Sequence, residues 1–127
     1  MNRFHLTLLT FLGAASISWS AFAHHSGAAF DFMKPKTTQG VVKEFAVANP
    51  HLHAVLVIED GKGVHDCSFE GVSASILYRA GYTRGMVKPG DRITIMYAPR
   101  RDGAEGGHII GLVTAAGKRL NFSQQPN

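Results

Sequence analysis

The chain has 127 residues, of which 45% are hydrophobic and 17% are charged, with 13 Lys+Arg against 9 Asp+Glu. This length accommodates one compact domain, and the apolar fraction is too high for a disordered chain. The net charge of +4 is not gathered into a run, which argues against a dedicated nucleic-acid binder. A single cysteine cannot form a disulfide within the chain, so ordinary packing must stabilise the domain.

Residues 1–23 are predicted to be a cleavable signal peptide. Arg3 supplies a positive start, the stretch 6–17 is mostly apolar, and Ala23 is the small residue before the expected cut. An N-terminal membrane anchor is the alternative, but the apolar stretch is shorter than the roughly 20 residues that a membrane span needs. We therefore expect an exported, periplasmic protein with no stable membrane span after cleavage.

The mature chain, residues 24–127, is predicted to form a single domain with an N-terminal arm of about residues 24–36. Hydrophobic alternation and turn residues predict three strands, a short helix and then two or three strands. The predicted strands cover 40–47, 52–60, 64–70, 92–98 and about 107–113, and 119–122 can add a short edge strand. The apolar stripe of the helix is Val72, Ile76, Leu77 and Ala80, with Ser73 as candidate N-cap and Gly81 as its end. This order favours an all-β fold, a small five- to six-stranded OB-like β-barrel, with a β-sandwich as the alternative.

Histidine is the compositional peculiarity of the mature chain, which holds six of the seven in the sequence. His24 and His25 would stand at the new N-terminus, and His51 and His53 flank the start of the second strand. Residues two apart on a strand point to the same face, so the second pair could address one ion. The site predicted from this pattern is a metal site made of His24, His25, His51 and His53.

Copper is the metal that this donor set favours. An N-terminal histidine can chelate through its amine and its own Nδ1, and the amine loses its proton at small cost near neutral pH. One further imidazole, from His51 or His53, would give three nitrogens in a T shape, the arrangement called a histidine brace. Tetragonal nitrogen-rich sites suit Cu(II), whereas zinc is less favoured because no acid or thiolate shares the spacing.

The sequence also allows functions other than copper binding at these histidines. The histidines could simply be exposed or turn residues of an interaction module that docks an envelope protein. Cys67 alternates with His65 and Phe69, which predicts a buried core residue. The methionines Met33, Met86 and Met96 could bind Cu(I), but isolated methionines usually pack. No nucleophile motif or catalytic carboxylate pair stands out, so we expect no enzyme and no nucleic-acid ligand.

Several short motifs resemble a family of small exported bacterial proteins catalogued as a domain of unknown function. They are Ala23-His24-His25-Ser26, Phe30-Asp31, Thr38-x-Gly40-x-Val42, Asn49-Pro50-His51, Glu70-Gly71, Leu77-x-Arg79-Ala80-Gly81, Lys88-Pro89-Gly90-Asp91, Arg101-Asp102-Gly103 and Gly106-Gly107. The resemblance covers essentially the whole mature chain and implies a periplasmic, β-rich domain. By position, the histidine motifs of the family fall on His24, His25 and His51.

The chain also departs from the family's pattern. The family often has a tryptophan where Cys67 stands, and another at the position of Val47-Ala48. It tends to carry a histidine where this chain has Ala98. If that histidine is a ligand in relatives, this chain binds metal differently, and His53 or His108 could take its place.

Overall fold

The computed structural model describes residues 27–122, which form six strands and a short helix. The predicted signal peptide, residues 1–23, and the predicted ligands His24 and His25 lie outside the described residues. The elements in chain order are β1 (Lys36–Ala46), β2 (His53–Asp60), β3 (Gly63–Glu70), α1 (Ala74–Arg79), β4 (Arg92–Pro99), β5 (Gly107–Val113) and β6 (Arg119–Asn121).

The strands close into a barrel. β1 pairs with β2, β2 with β3, and β1 with β4, all antiparallel, while β4 pairs antiparallel with β5. A short parallel pairing of β5 with β3 closes the ring of five strands, and β6 adds a sixth strand antiparallel to β5. The helix lies between β3 and β4 in the sequence. This confirms the predicted OB-like barrel rather than a β-sandwich.

The first strand is longer than predicted and serves two neighbours. Its first half pairs with β4, from Lys36 opposite Tyr97, and its second half pairs with β2. The register against β2 shifts by one residue at Lys43, a bulge that bends the strand. Gly40 permits the close approach at this bend, since a Cβ there would lie 2.8 Å from the backbone oxygen of Val57.

Two adjacent glycines permit the closure of the barrel. A Cβ at Gly106 would lie 2.0 Å from the backbone oxygen of Ser68, and a Cβ at Gly107 would lie 2.2 Å from that of Ala98. Gly106 also has a φ of +86°, a conformation that side chains disfavour. The start of β5 therefore fits between β3 and β4 only because both residues lack a side chain.

The barrel interior is filled by the alternating positions predicted from the sequence. Leu52, Ala54 and Leu56 are fully buried, and Ile93 and Ile95 meet them from the opposite wall. Cys67 belongs to the same core, as predicted. Within residues 27–122, no helix is both long and apolar enough to cross a bilayer.

The short helix is held by residues beyond its own ends. Ser73 is the N-cap residue, as predicted, but its side chain makes no capping hydrogen bond. The amide of Ala74 instead donates to the Asn49 side chain at 3.1 Å. This bond links the helix to the β1–β2 loop, which carries His51, and Gly81 ends the helix with a φ of +97°.

Candidate metal site on the outer face of the barrel

Three polar residues from three neighbouring strands form a row on the outer face of the barrel. His53 of β2 lies opposite Glu70 of β3, and Glu70 lies opposite His108 of β5. The residues beside them in each strand point into the core, so these three point outward. Directly opposite side chains stand about 5 Å apart at Cβ. Barrel closure thus brings His108 next to a carboxylate that is distant in the sequence.

His108 is a largely enclosed outward-facing residue. Its side chain is 16% exposed, and its Nδ1 lies 3.6 Å from Glu70 Oε1, an ion-pair distance longer than a hydrogen bond. The rings of Phe30 and Phe32 pack against the imidazole, with centroid distances of 5.6 and 5.5 Å. The ring orientation is therefore fixed on one side by the carboxylate and on others by aromatic contacts.

These surroundings favour the neutral form of His108. Burial lowers the pKa of His108, the Glu70 carboxylate opposes this effect, and the charge of nearby His51 lowers the pKa further. A histidine that stays neutral at physiological pH keeps a lone pair available for a metal or a hydrogen-bond donor.

His51 lies in the loop between β1 and β2, and its Nδ1 is held by the backbone. The carbonyl oxygen of Gly71 lies 3.2 Å from Nδ1. A carbonyl can only accept, so Nδ1 donates its proton here and the lone pair of the neutral ring lies on Nε2. His51 therefore presents Nε2 as its ligand atom.

An N-terminal arm, residues 27–35, runs along the same end of the barrel. The Asp31 amide donates to the Pro99 oxygen and the Arg101 amide donates to the Ala29 oxygen, each at 2.8 Å. The Arg101 Nε also donates to the Phe30 oxygen at 3.1 Å. Phe30 is buried although it lies outside the main core cluster. The arm is thus fixed to the outer face beside His108.

The structure brings together only part of the predicted ligand set. His51 faces the carbonyl of Gly71 and His108 faces the carboxylate of the preceding residue, Glu70. The side chain of His53 is exposed in the neighbouring strand. His108 was expected only as a substitute ligand, and Glu70 appeared only in the Glu70-Gly71 motif, with no role assigned to it. Their proximity follows from the β3–β5 closure, which the hydrophobic alternation of the strands does not reveal. Within residues 27–122, no group of three or more His, Cys, Asp or Glu side chains is arranged to hold a metal ion.

Another histidine lies in an ionic cluster on the β2–β3 hairpin. His65 Nε2 lies 3.3 Å from Glu105 Oε2, and its Nδ1 lies 3.2 Å from the Gly63 oxygen. Lys62 forms an ion pair with the same Glu105. His65 Nε2 is buried and makes no hydrogen bond, so its contact with Glu105 is electrostatic only. The cluster is an electrostatic clamp between the hairpin and the β4–β5 loop.

The sulfur-containing residues do not gather at the candidate site. Cys67 is buried in the core, where burial raises the pKa of its thiol. Met86 packs partly against the same core, while Met33 and Met96 are exposed.

Ala98, where the resemblance to the family led us to expect a histidine in relatives, lies beside this site. Ala98 of β4 is the cross-strand partner of His108 and is fully buried outside the main core cluster. A histidine at position 98 would therefore stand next to the imidazole of His108.

Residues 13–109 match the family of unknown function DUF6152. The chain belongs to this family. The match extends from the apolar N-terminal stretch to the first residues of β5 and includes Glu70, His51 and His108. No curated protein and no solved structure matches the chain.

Proposed function

We propose that the protein is an exported, periplasmic copper-binding protein that holds or delivers copper through the first residue of its mature chain. The amine and Nδ1 of His24 chelate the ion, and an imidazole nitrogen of His51 completes a T-shaped set, with His25 and His53 as alternative ligands. The observation that supports this proposal is the anchoring of the arm, through Phe30, against His108, whose partner Glu70 directly precedes the residue that holds His51.

The anchored arm limits how far the N-terminus can lie from this face. Six residue steps separate His24 from Phe30, whose ring packs on His108. A fully extended chain spans at most about 3.6 Å per residue, so the reach from Phe30 is about 20 Å. Only three residue steps separate His24 from Gly27, the first described residue, a reach of about 11 Å. A free arm would impose no such limit.

The chemistry of the donors supports copper. A terminal amine and neutral imidazoles are nitrogen ligands, and Cu(II) leads the divalent affinity series for such sites. The ion brings two positive charges to neutral ligands, and the Glu70 carboxylate beside His108 offsets part of that charge. The described residues alone do not supply three metal-binding groups, so the proposal depends on the free amine of His24.

The test is a Cu(II) titration of protein that a cell has exported and processed, with the N-terminus verified by mass spectrometry. The matched control carries one additional serine before His24, which moves the amine away from its imidazole. We expect sub-micromolar binding and hyperfine coupling to several nitrogens in the EPR spectrum of the processed form. The control should bind at least tenfold more weakly. Equal, weak binding by both forms would reject the proposal.

A second candidate function is that of an interaction module for an envelope protein. It is favoured by two adjacent apolar side chains on the arm, Phe32 at 44% and Met33 at 85% exposed. A contiguous exposed apolar patch is typical of a protein interaction site. Capture of an envelope protein that is lost with Phe32→Ser and Met33→Ser, and that is indifferent to copper, would favour this function.

A further inference from the structure

We propose that His108 is a ligand of the copper ion, acting through Nε2 together with His51, and that Glu70 is the residue that positions it. The inference rests on the proposed copper function for the identity of the metal. It replaces the exposed His53 with the enclosed His108 in the ligand set.

In each of the two rings, Nδ1 already faces an oxygen atom of the protein. His51 Nδ1 lies 3.2 Å from the Gly71 oxygen, and His108 Nδ1 lies 3.6 Å from the Glu70 carboxylate. Two consecutive residues at the end of β3 thus face the Nδ1 atoms of two histidines. Histidine ligands of metals usually have their second ring nitrogen held by a carbonyl or a carboxylate. The pairing leaves Nε2 of each ring as the metal-binding atom.

The imidazole ring of His108 has a fixed orientation. Phe30 and Phe32 contact it, and its side chain is 16% exposed. A ligand whose rotamer is already fixed loses little conformational entropy on binding an ion. His53 lies in the same row, opposite Glu70, but its side chain is exposed to solvent. The two histidines therefore differ in preorganisation.

The experiment compares His108→Phe with His53→Phe in the exported, processed protein. Phenylalanine keeps an aromatic ring against Phe30 and Phe32 but removes both nitrogens. We expect His108→Phe to lower Cu(II) affinity at least tenfold and to remove one nitrogen coupling from the EPR spectrum. His53→Phe should stay within about threefold of the parent protein. Circular dichroism and melting curves check that both variants fold.

A third variant, Glu70→Gln, tests the positioning role. Loss of an outer carboxylate typically weakens a metal site by about 10- to 100-fold. We expect a loss at the lower end of that range, with the number of coupled nitrogens unchanged. An unchanged affinity would reject the role of Glu70.

The outcomes separate this inference from the proposed function. Unaltered affinity and nitrogen coupling in His108→Phe, or a loss with His53→Phe instead, would overturn the inference while the proposed function stands. Equal weak binding by the processed and serine-extended forms would reject the brace at His24. In that case, residual binding that His108→Phe abolishes still supports the histidine pair on the barrel. Absence of copper binding in every form would overturn both.

Discussion

His108 and His65 each lie beside a carboxylate at the surface of the barrel, but their surroundings differ. The side chain of His108 faces one carboxylate and two aromatic rings, while that of His65 lies among Asp60, Glu105 and the backbone of its own hairpin. Their side-chain exposures are similar, at 16% and 24%. Burial alone therefore does not distinguish the two histidines.

The difference lies in what surrounds the ring nitrogens. At His65, the Gly63 oxygen faces Nδ1, while Nε2 is buried without a hydrogen-bond partner although the Glu105 carboxylate lies 3.3 Å away. At His108, the Glu70 carboxylate faces Nδ1, and two aromatic rings pack against the imidazole. The carbonyl of Gly71, the residue after Glu70, faces His51. The ring of His65 therefore lies among acids, whereas the ring of His108 shares the end of β3 with a second histidine.

The largest effect should come from breaking the closure that creates the candidate site. Gly106→Ala places a Cβ about 2.0 Å from the Ser68 oxygen, in addition to a φ of +86°. We expect the free energy of unfolding to fall by about 3 kcal/mol, measured by urea denaturation. His108 would then no longer be held beside Glu70, so copper affinity should fall as well.

Gly117→Ala is the matched control for this substitution. Gly117 has the same φ of +86°, but a Cβ there meets no atom within 4 Å. For Gly117→Ala, the free energy of unfolding should fall by only about 1–2 kcal/mol, the cost of placing alanine in a left-handed conformation. Its copper affinity should not change. Equal losses for the two glycines would show that the contact with Ser68 does not control closure.

Much of the barrel could be predicted from the sequence because its signals are local. Leu52, Ala54 and Leu56 alternate with outward residues, and the bounds of β5 at 107–113 were predicted as observed. The first four residues of β1 were missed. The segment from Lys36 to Gln39 lacks apolar alternation, and its strand conformation depends on hydrogen bonds to β4, which is far away in the chain.

The candidate site was less predictable than the barrel for the same reason. His51 carries a local signal, the Asn-Pro-His turn, and was predicted as a ligand. His108 and Glu70 meet through a parallel pairing of only two residue pairs, Phe69 with Gly107 and Glu70 with His108. The glycines that permit this contact carry the only sequence signal for it. Because adjacent glycines before a strand permit a close contact between strands, Gly106-Gly107 is the local feature that points to His108.

An intermediate effect should come from loosening the arm. Phe30→Ala removes a side chain that is 4% exposed and packs on His108, so we expect a loss of about 2 kcal/mol. Hydrogen exchange should accelerate at the amides of Asp31 and Arg101, whose hydrogen bonds join the arm to the end of β4 and the residues that follow it. Under the proposed function, copper affinity should also fall, because a detached Phe30 no longer limits how far His24 can lie from the barrel face.

Phe32→Ala is the control for the arm. Phe32 contacts His108 at a similar distance but is 44% exposed, so its removal should cost less stability. Calorimetry can compare the melting temperatures of the two variants. A larger loss for Phe32→Ala than for Phe30→Ala would contradict an anchoring role for Phe30.

The smallest effect should come from the hairpin clamp. The Lys62 hydrogen bond holds the pKa of Glu105 below its usual value, and Glu105 in turn raises the pKa of Lys62. A lowered carboxyl pKa contributes stability at pH values above the ordinary pKa, and this contribution is lost as the pH falls through the folded-state pKa.

Glu105→Gln should therefore lower the melting temperature slightly at pH 7, with the difference from the parent shrinking below pH 4. Both partners are exposed, so solvent screening keeps this effect small. Copper affinity should not change, since Nε2 of His65 is buried and its ring lies in a different region from the proposed site. A variant that gained copper binding on release of His65 would show that the clamp, rather than the lack of further ligands, keeps this second region from binding metal.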